Sequence, residues 1–419
     1  MADRKILIID LKSFYASCEC AMRGLDPFRV NLVVADKERG NGTICLAVSP
    51  ALKALGVPNR CRLFEIPKDI KYIAAKPRMK KYIEYSANIY AIYLKYFSKE
   101  DIYVYSIDEA FIDVTDYLKL YKTDELSLAK KLIKEIRDEL SLIATCGIGP
   151  NLFLAKVALD IISKKSSDNI GIITHEIYDN EIIYHEPLTD FWSIGHGTAK
   201  RLAKYKVFNM YQLRLLEDDI LKREFGVKGA ILKEHAFGVE ETTIKEIKAY
   251  KPKGKSITEG QVLFQDYTFE EGIVVVKEMA LQLIMQLLDK KLCCKTIGIS
   301  MRYSKDELFH GSGESYTFLT HTNSPEEITN KFVELYEESF IRGQYLRGLN
   351  LGLSGLIKEE NKDFTLFNLD KDQKDYDMAK AMLEIRKKYG QTSVIKASSL
   401  DEKATALIRA KLIGGHNSE

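Results

Sequence analysis

The chain has 419 residues, and its 62 Lys and Arg against 60 Asp and Glu leave a formal net charge of +2 at pH 7. Hydrophobic residues make up 46% of the sequence and charged residues 29%, which excludes a disordered or collagen-like chain. At roughly 100–200 residues per domain, the length predicts two to four domains. Because the charge is nearly balanced, any nucleic-acid binding must come from local basic clusters.

Cysteine usage and hydropathy indicate the compartment. The seven cysteines, an odd number without a Cys-x-x-Cys spacing, argue against a disulfide framework and against a zinc site. The N-terminal apolar run is too short for a signal peptide, and no apolar stretch approaches the roughly 18 residues of a membrane span. These features predict a soluble cytoplasmic protein with reduced thiols.

Short apolar strands and amphipathic helices share the first 175 or so residues. Periodicity predicts strands at 5–10, 31–36, 44–48 and 142–148, with two more inside 101–114 that fold about a hairpin at 106–109. It predicts helices at 13–21, 50–55, 80–97, 126–140 and 151–162. This mixture indicates an α+β core.

The pattern changes twice further along the chain. Short helices separated by Gly-containing turns occupy 188–239, and the lysine-rich segment 245–255 is interpreted as an exposed linker. Strands and two helices then follow in a β-α-β-β-α-β order over 256–358, which predicts a small α+β sandwich. The last sixty residues are charged, with helical patterns near 375–388 and 401–412.

Three acidic residues stand where buried strands end or turn. Asp10 ends the first strand, and Asp108 and Glu109 lie at a tight hairpin between two others. If these strands are neighbours in one sheet, three carboxylates converge and require cations, and hard oxygen ligands suit Mg²⁺ or Mn²⁺. Two such ions are the usual device for in-line phosphoryl transfer. The alternative is a solvated hairpin tip with Asp10 as a helix cap, since Asp is favoured at both positions.

A glycine-containing turn suggests contact with a phosphate backbone. The sequence 194–202 resembles the hairpin of a helix-hairpin-helix, in which Gly195 and Gly197 let backbone N–H groups approach a DNA phosphate and Lys200 adds charge. The alternative is a plain helix turn in which His196 is a solvent-exposed residue.

The lysines of the linker are a second basic feature. Lys251, Lys253 and Lys255 are spaced by two in a segment that contains Pro and Gly. They predict either a basic strip that contacts DNA phosphates or a soluble tether between domains with no role in DNA binding.

Two longer segments resemble a known family. The sequence Asp-Leu-Lys-Ser-Phe-Tyr-Ala-Ser-Cys-Glu at 10–19 resembles the first motif of the Y-family DNA polymerases, the lesion-bypass enzymes. The sequence Tyr-Ser-Ile-Asp-Glu-Ala-Phe at 105–111 resembles their second carboxylate motif, and 51–57 and 147–156 match further blocks in order. The resemblance spans residues 1 to about 358. It is strongest to the UmuC-like bacterial branch, and 393–416 resembles the ends of its Gram-positive members.

The resemblance implies an α+β multidomain, right-hand polymerase. Its parts would be an α+β palm at 1–25 and 78–180, small fingers at 26–77, a helical thumb with a helix-hairpin-helix at 181–244, a linker at 245–255, an α+β little finger at 256–358 and a C-terminal tail at 359–419. It implies template-directed addition of dNTPs to a primer 3′ end, with low fidelity and past damaged bases. Short fingers fit this expectation, because a loose enclosure weakens discrimination between correct and incorrect base pairs.

The family motifs also assign roles to single residues. They imply that Asp10, Asp108, Glu109 and the Leu11 carbonyl bind two Mg²⁺ ions, for which Mn²⁺ can substitute. They place Tyr15 at a steric gate against a ribose 2′-hydroxyl. The residues expected to bind the triphosphate are Ser13 and Phe14 through their backbone amides, and Lys53 and Lys164. Many relatives carry Tyr where this chain has Pro50, and the spacing favours Lys164 over Lys165.

The expected partners are primer–template DNA and a dNTP, and the protein is expected to be a monomer. Family members often carry a peptide after the little finger that docks on the sliding clamp. This chain has Leu366 and Phe367 at that place but Asp363 where Gln would stand. The alternative is that 364–367 packs on the little-finger sheet as an extra strand.

Two other functions stay open at this point. One is a two-metal, structure-specific nuclease with a helix-hairpin-helix, which would not need Phe14 and Tyr15 beside its first acid. The other is a non-catalytic DNA-binding member of the family, which would have no reason to keep buried carboxylates together. Primer extension with Mg²⁺ and dNTPs separates all three functions.

Overall fold

The computed structural model describes residues 4–252, 256–304, 311–361 and 369–419. The chain divides into two compact units, 1–250 and 251–418. Within the described ranges, no helix is both long and apolar enough to cross a membrane.

Two sheets organise the first unit. Its strands are β1 (Ile6–Leu11), β2 (Leu32–Val34), β3 (Ala47–Val48), β4 (Ile73–Ala75), β5 (Ile102–Val104), β6 (Glu109–Asp113), β7 (Ala144–Gly149) and β8 (Ile170–Ile172). The larger sheet has the order β5-β6-β1-β7-β8, in which only β7 and β8 are parallel neighbours. The smaller sheet has the order β3-β2-β4. The strand at the centre of the larger sheet, β1, is the one that ends at the first acid.

Helices flank these sheets. They are α1 (Phe14–Ala21), α2 (Pro50–Ala54), α3 (Met79–Leu94), α4 (Thr115–Tyr121), α5 (Glu125–Leu140), α6 (Leu152–Val157), α7 (His175–Asn180), α8 (His196–Ala203), α9 (Met210–Leu215), α10 (Asp218–Phe225), α11 (Val227–Ala236) and α12 (Ile244–Ala249). Short polar side chains cap several of these helices. Ser49 accepts from the Leu52 amide before Pro50, and Asn151 accepts from the Leu154 amide.

The helix α6 lies unusually close to the sheet. A Cβ added at Gly147 would stand 2.2 Å from the Ala155 carbonyl oxygen, so only glycine permits this approach of β7 to the helix. The predicted helix 151–162 is therefore present, but it continues past α6 as a π-helical turn over Ala158–Ser163. The close approach places α6, which carries Lys156, directly against β7.

The second unit has a main antiparallel sheet, a small two-stranded sheet and four helices in the described residues. Its strands are β9 (Ser256–Tyr267), β10 (Leu292–Tyr303), β11 (Gly311–Thr322), β12 (Leu346–Ser354), β13 (Ile357–Lys358), β14 (Leu412–Ile413) and β15 (His416–Asn417). Its helices are α13 (Phe269–Asp289), α14 (Pro325–Ser339), α15 (Leu369–Tyr389) and α16 (Ala406–Arg409). The main sheet has the order β11-β10-β12-β9. The β-α-β-β-α-β order predicted from the sequence is confirmed.

One interpretation of the sequence needs correction. The segment 245–255 is not an exposed linker along its whole length, because α12 occupies its first half. A reciprocal capping box between Thr243 and Glu246 starts this helix, and Ile244 is buried against Ile6 and Ile8.

The C-terminal segment, predicted to be charged with helical patterns near 375–388 and 401–412, forms α15 over the first of these ranges. It packs on the second unit, since Ala379 of α15 is buried in the core. Tyr376, Met382 and Leu383 of the same helix pack against that core.

Candidate active site

The three predicted acids converge at one edge of the larger sheet. Strands β1 and β6 are antiparallel, and their register places Asp10 directly opposite Glu109. The Leu11 amide donates to the Asp108 carbonyl at 3.1 Å, which fixes the turn beside the strand end. The interpretation of the hairpin as a solvated tip is therefore wrong for Glu109, whose side chain is only 9% exposed.

Burial and the neighbouring acids both disfavour the ionised form of Asp10. Burial, together with the charges of Asp108 and Glu109, raises the pKa of Asp10 from 3.8 to about 7. Burial also raises the pKa of Glu109, against the opposing effect of Lys156. A site with this surplus of negative charge and oxygen ligands suits a hard divalent cation.

The acidic side chains do not form a closed ligand cluster. In the described parts of the chain, no three His, Cys, Asp or Glu side chains are grouped tightly enough to hold a metal ion. Glu109 pairs with Lys156 at 2.8 Å, and Asp108 accepts from the Ser106 hydroxyl at 2.6 Å. The carboxylate oxygens are nevertheless the ligand type that a hard divalent cation prefers.

Lys156 is a residue of this site that the sequence analysis missed. Its ammonium group lies 2.8 Å from Glu109 and 3.2 Å from Asp160, and the residue is 8% exposed. The signal was available, because Lys156 is the one charge within the otherwise apolar run 152–159. A lysine that is buried with its helix needs a carboxylate partner.

A chain of ion pairs continues from Lys156 to Lys164. Asp160 uses one carboxylate oxygen for Lys156 and the other for Lys164, at 2.7 Å. Lys164 is close enough to lower the pKa of both Asp10 and Lys53 by its charge, although burial is the main cause for Lys53. The structure thus places Lys53 and Lys164 within electrostatic reach of Asp10.

The residues expected around the nucleotide lie at the start of α1. Ser13 is the N-cap residue with a φ of 50°, and Phe14 is buried. The ring of Tyr15 stacks on Tyr82 with a centroid distance of 4.6 Å. Burial raises the pKa of Tyr15, and the nearby charge of Asp108 adds to the effect. Tyr15 therefore lies close enough to Asp108 to feel its charge.

The predicted DNA-binding residues lie on other elements. Gly195 is the N-cap of α8, and a Cβ at Gly195 or Gly197 would meet no atom within 4 Å, so the backbone there is open to a ligand. Lys200 and Lys251 are exposed. Lys253 and Lys255 lie outside the described residues, as do Asp363, Phe364, Leu366 and Phe367.

Two family models match this chain. Residues 9–160 match the impB/mucB/samB family, and residues 254–366 match the C-terminal domain of the impB/mucB/samB family. The first match contains the acids and the second coincides with the main sheet of the second unit. Together with the relatives described next, these matches show that the chain belongs to the Y family of DNA-directed DNA polymerases.

Individual relatives match along the whole chain. A Bacillus subtilis (strain 168) protein named UvrX, whose name refers to UV-damage repair, is 33% identical over 418 residues, covering 99% of this chain and 98% of its own. DNA polymerase IV 2 of the same organism is 30% identical over 420 residues, covering 99% of both chains. A solved Y-family DNA polymerase chimera is 19% identical and has a TM-score of 0.64, covering 84% of this chain and 99% of that chain. The last match shows the fold, and the predicted family and fold class are confirmed.

Proposed function

We propose that this protein is a template-directed DNA polymerase that extends a primer past damaged bases. The observation that carries the proposal is the convergence of Asp10, Asp108 and Glu109 at paired strand ends. Whole-length similarity to a DNA polymerase IV and to a protein named for UV-damage repair supports both halves of the proposal.

The acids are proposed to hold two Mg²⁺ ions, with Mn²⁺ as a substitute. Asp10, Asp108, Glu109 and the Leu11 carbonyl supply the oxygen ligands, and the surplus negative charge at Asp10 fits this role. When bound, such ions lower the pKa of the primer 3′-hydroxyl and neutralise charge on the phosphates.

The chain's own residues then bind and orient the nucleotide. Lys164 and Lys53 offer ammonium groups to the triphosphate on the side of Asp10, as their mutual electrostatic effects support. The N-terminal amides of α1, at Ser13 and Phe14, lack partners inside the helix and are free to donate to phosphate oxygens. Tyr15 would lie under the sugar and clash with a 2′-hydroxyl.

The remaining parts of the chain would hold DNA. We assign the palm to 1–25 and 78–180, the fingers to 26–77 and the thumb to 181–244, with the little finger at 256–358. The open glycines of the hairpin at 195–197 and the exposed Lys200 and Lys251 suit contacts to the DNA backbone that do not depend on sequence. We further propose that the protein works in the cytoplasm as a monomer and docks on the sliding clamp through Leu366 and Phe367.

Primer extension tests the proposal. The wild-type chain should add dNTPs to a primer on an undamaged template and across a template abasic site. Asp108→Ala should abolish addition while primer–template binding stays within about tenfold, because other residues hold the DNA. Asp116→Ala, an exposed aspartate on α4, is the matched control and should extend normally. Strand cleavage without dNTPs would indicate the nuclease instead, and wild-type extension by Asp108→Ala would refute the assignment.

A further inference from the structure

The steric-gate ring rests on a second aromatic ring. Tyr15 of α1 and Tyr82 of α3 have centroids 4.6 Å apart and planes inclined by 23°. Tyr82 is completely buried, whereas Tyr15 is half-buried. One face of the Tyr15 ring is thus covered by a side chain that cannot move without disturbing the core.

The hydroxyl of Tyr82 is tied to a buried carboxylate. It donates to Glu19 at 2.8 Å, and Glu19 is 0% exposed. Arg78 donates to the same carboxylate through Nε at 3.0 Å and Nη2 at 2.7 Å, and Arg23, which follows the end of α1, pairs with it. Although burial opposes them, hydrogen bonds from Arg78, Arg23 and Tyr82 lower the pKa of Glu19, so it stays an ionised acceptor.

The ring stack and the hydroxyl–carboxylate hydrogen bond join α1 to α3 at two points. Tyr15 and Glu19 are four residues apart, so they lie on one face of α1. Tyr82 contacts both of them at once, with its ring face on Tyr15 and its hydroxyl on Glu19. A stack alone would let the two rings slide, whereas the hydroxyl–carboxylate bond fixes the direction of the Tyr82 side chain.

Stability does not account for this arrangement. A buried carboxylate with guanidinium partners has a large desolvation cost, and apolar residues of similar volume stabilise a core as well or better. A polar network that is fully satisfied does, however, select one geometry of its members. The member that borders the site is Tyr15, through its contact with Tyr82.

We propose that Tyr82, held by Glu19, is a positioning residue that sets sugar selectivity by keeping the Tyr15 ring in place under the nucleotide. The inference rests on the proposed function, in which Tyr15 excludes the 2′-hydroxyl of a ribonucleotide. Exclusion of a ribonucleotide depends on a steric clash between its 2′-hydroxyl and the Tyr15 ring. The clash persists only if the Tyr15 ring cannot move away. Loosening Tyr82 would relieve the clash for a ribonucleotide.

The test is single-nucleotide insertion opposite template dG, with kcat/KM measured for dCTP and for CTP. Tyr82→Phe keeps the ring and the volume but loses the bond to Glu19, and the dCTP:CTP ratio should fall about tenfold. Tyr82→Leu loses the stack as well, and the ratio should fall further. Tyr85→Phe, one turn along α3 and without a ring contact in the described parts of the chain, is the control and should keep the wild-type ratio.

The combined variant shows whether the two tyrosines act together. Tyr15→Ala should reduce the ratio by on the order of 10²-fold, from loss of the clash. Adding Tyr82→Phe to Tyr15→Ala should change the ratio no further, because coupled residues are not additive. A role of Tyr82 in stability alone would lower both kcat/KM values equally and leave the ratio unchanged.

Failure of the inference and failure of the proposed function give different results. If Tyr15→Ala leaves the ratio at its wild-type value, there is no gate at Tyr15, and the inference falls with it. If Tyr15→Ala reduces the ratio but Tyr82→Phe leaves it unchanged, the gate stands and the positioning role of Tyr82 is wrong. Tyr82→Phe decides the matter even if Tyr82→Leu does not fold, since it preserves the core volume.

Discussion

Lys156 places its ammonium nitrogen 2.8 Å from the carboxylate of Glu109, and both side chains are about nine-tenths buried. Asp160 holds the same ammonium from the other side, at 3.2 Å. The negative charge of Glu109 is therefore compensated by a lysine of the protein itself. This leaves Asp10 and Asp108 as the carboxylates whose charge is least balanced, and it links Glu109 through Asp160 to Lys164.

Removing this compensation should destabilise the chain. Lys156→Met keeps the length of the side chain but leaves the carboxylate of Glu109 buried without its partner. Breaking a buried pair in this way costs about 3–5 kcal/mol. Thermal unfolding in EDTA should show the loss as a lower melting temperature. Lys165→Met, an exposed neighbour, should melt like the wild type, and equal melting of both variants would mean that the pair adds nothing to stability.

The stability of the metal-free protein should depend on pH through Asp10. Its pKa is raised from 3.8 to about 7, so between these values the folded state holds a proton that the unfolded state has lost. Stability should therefore fall as the pH rises through this window, by on the order of 4 kcal/mol at most. Melting curves in EDTA from pH 5 to pH 8 measure the effect.

Two variants isolate the contribution of Asp10. Asp10→Asn cannot ionise, so its melting temperature at pH 8 should exceed that of the wild type, whereas the exposed Asp116→Asn should follow the wild type. Mg²⁺ should raise the melting temperature of the wild type more at pH 8 than at pH 6, because the ionised carboxylate is the ligand. A melting temperature of the wild type that rises steadily from pH 5 to pH 8 in EDTA would contradict the prediction.

The sequence predicted the acids but not the residues that balance them. Asp10, Asp108 and Glu109 could be found because they stand where apolar strands end or turn and because they fall inside the two motifs that resemble the family. Lys156 lies on a different element, and its pairing with Glu109 depends on how closely α6 packs on β7 at Gly147. The distance between α6 and β7 is a property of the folded sheet, and no local sequence pattern predicts it.

Other differences have similar causes. The lysine-rich composition of 245–255 predicted a linker, yet α12 begins at a capping box and packs on the core through Ile244 and Ile247. The π-helical turn at Ala158–Ser163 has no distinctive hydrophobic period, so periodicity predicted only a helix there. The β-α-β-β-α-β order of the second unit was predictable, because each of its elements is long and strongly patterned.

Glu278 should anchor the C-terminal segment to the second unit. It is buried on α13, and one of its oxygens accepts from the Thr405 amide at 2.7 Å, the Ala406 amide at 3.0 Å and the Thr405 hydroxyl at 3.2 Å. Glu278→Leu would leave these donors without an acceptor, at a cost of about 1–3 kcal/mol for each buried group. Hydrogen exchange over 400–417 should become faster.

A second glutamate on the same helix provides the control. Glu271 pairs with Lys403 of the same segment at 2.9 Å, but the pair is partly exposed. Glu271→Gln removes the charge and keeps the helix cap. Hydrogen exchange over 400–417 should change little in this variant, since exposed ion pairs contribute about 0–1 kcal/mol. Equal acceleration in both variants would show that the segment is held by surface charge rather than by Glu278.

Clamp docking by Leu366 and Phe367 stays a prediction, because both residues lie outside the described part of the chain. Two adjacent large apolar side chains in a polar segment favour a partner groove. Asp363 stands where a Gln would have supplied hydrogen bonds at the edge of that groove. Leu366→Ala combined with Phe367→Ala should therefore reduce clamp-stimulated synthesis, while basal extension and the melting temperature stay at wild-type values.

Phe364→Ala distinguishes docking from packing on the sheet. In an extra strand, the alternation would put Phe364 and Leu366 on one face, so both would be buried against the second unit. Packing predicts that Phe364→Ala and the double variant both lower the melting temperature and leave clamp stimulation intact. Docking predicts that only the double variant loses stimulation and that neither variant melts earlier. A drop in melting temperature with unchanged stimulation would exclude the clamp as the partner of Leu366 and Phe367.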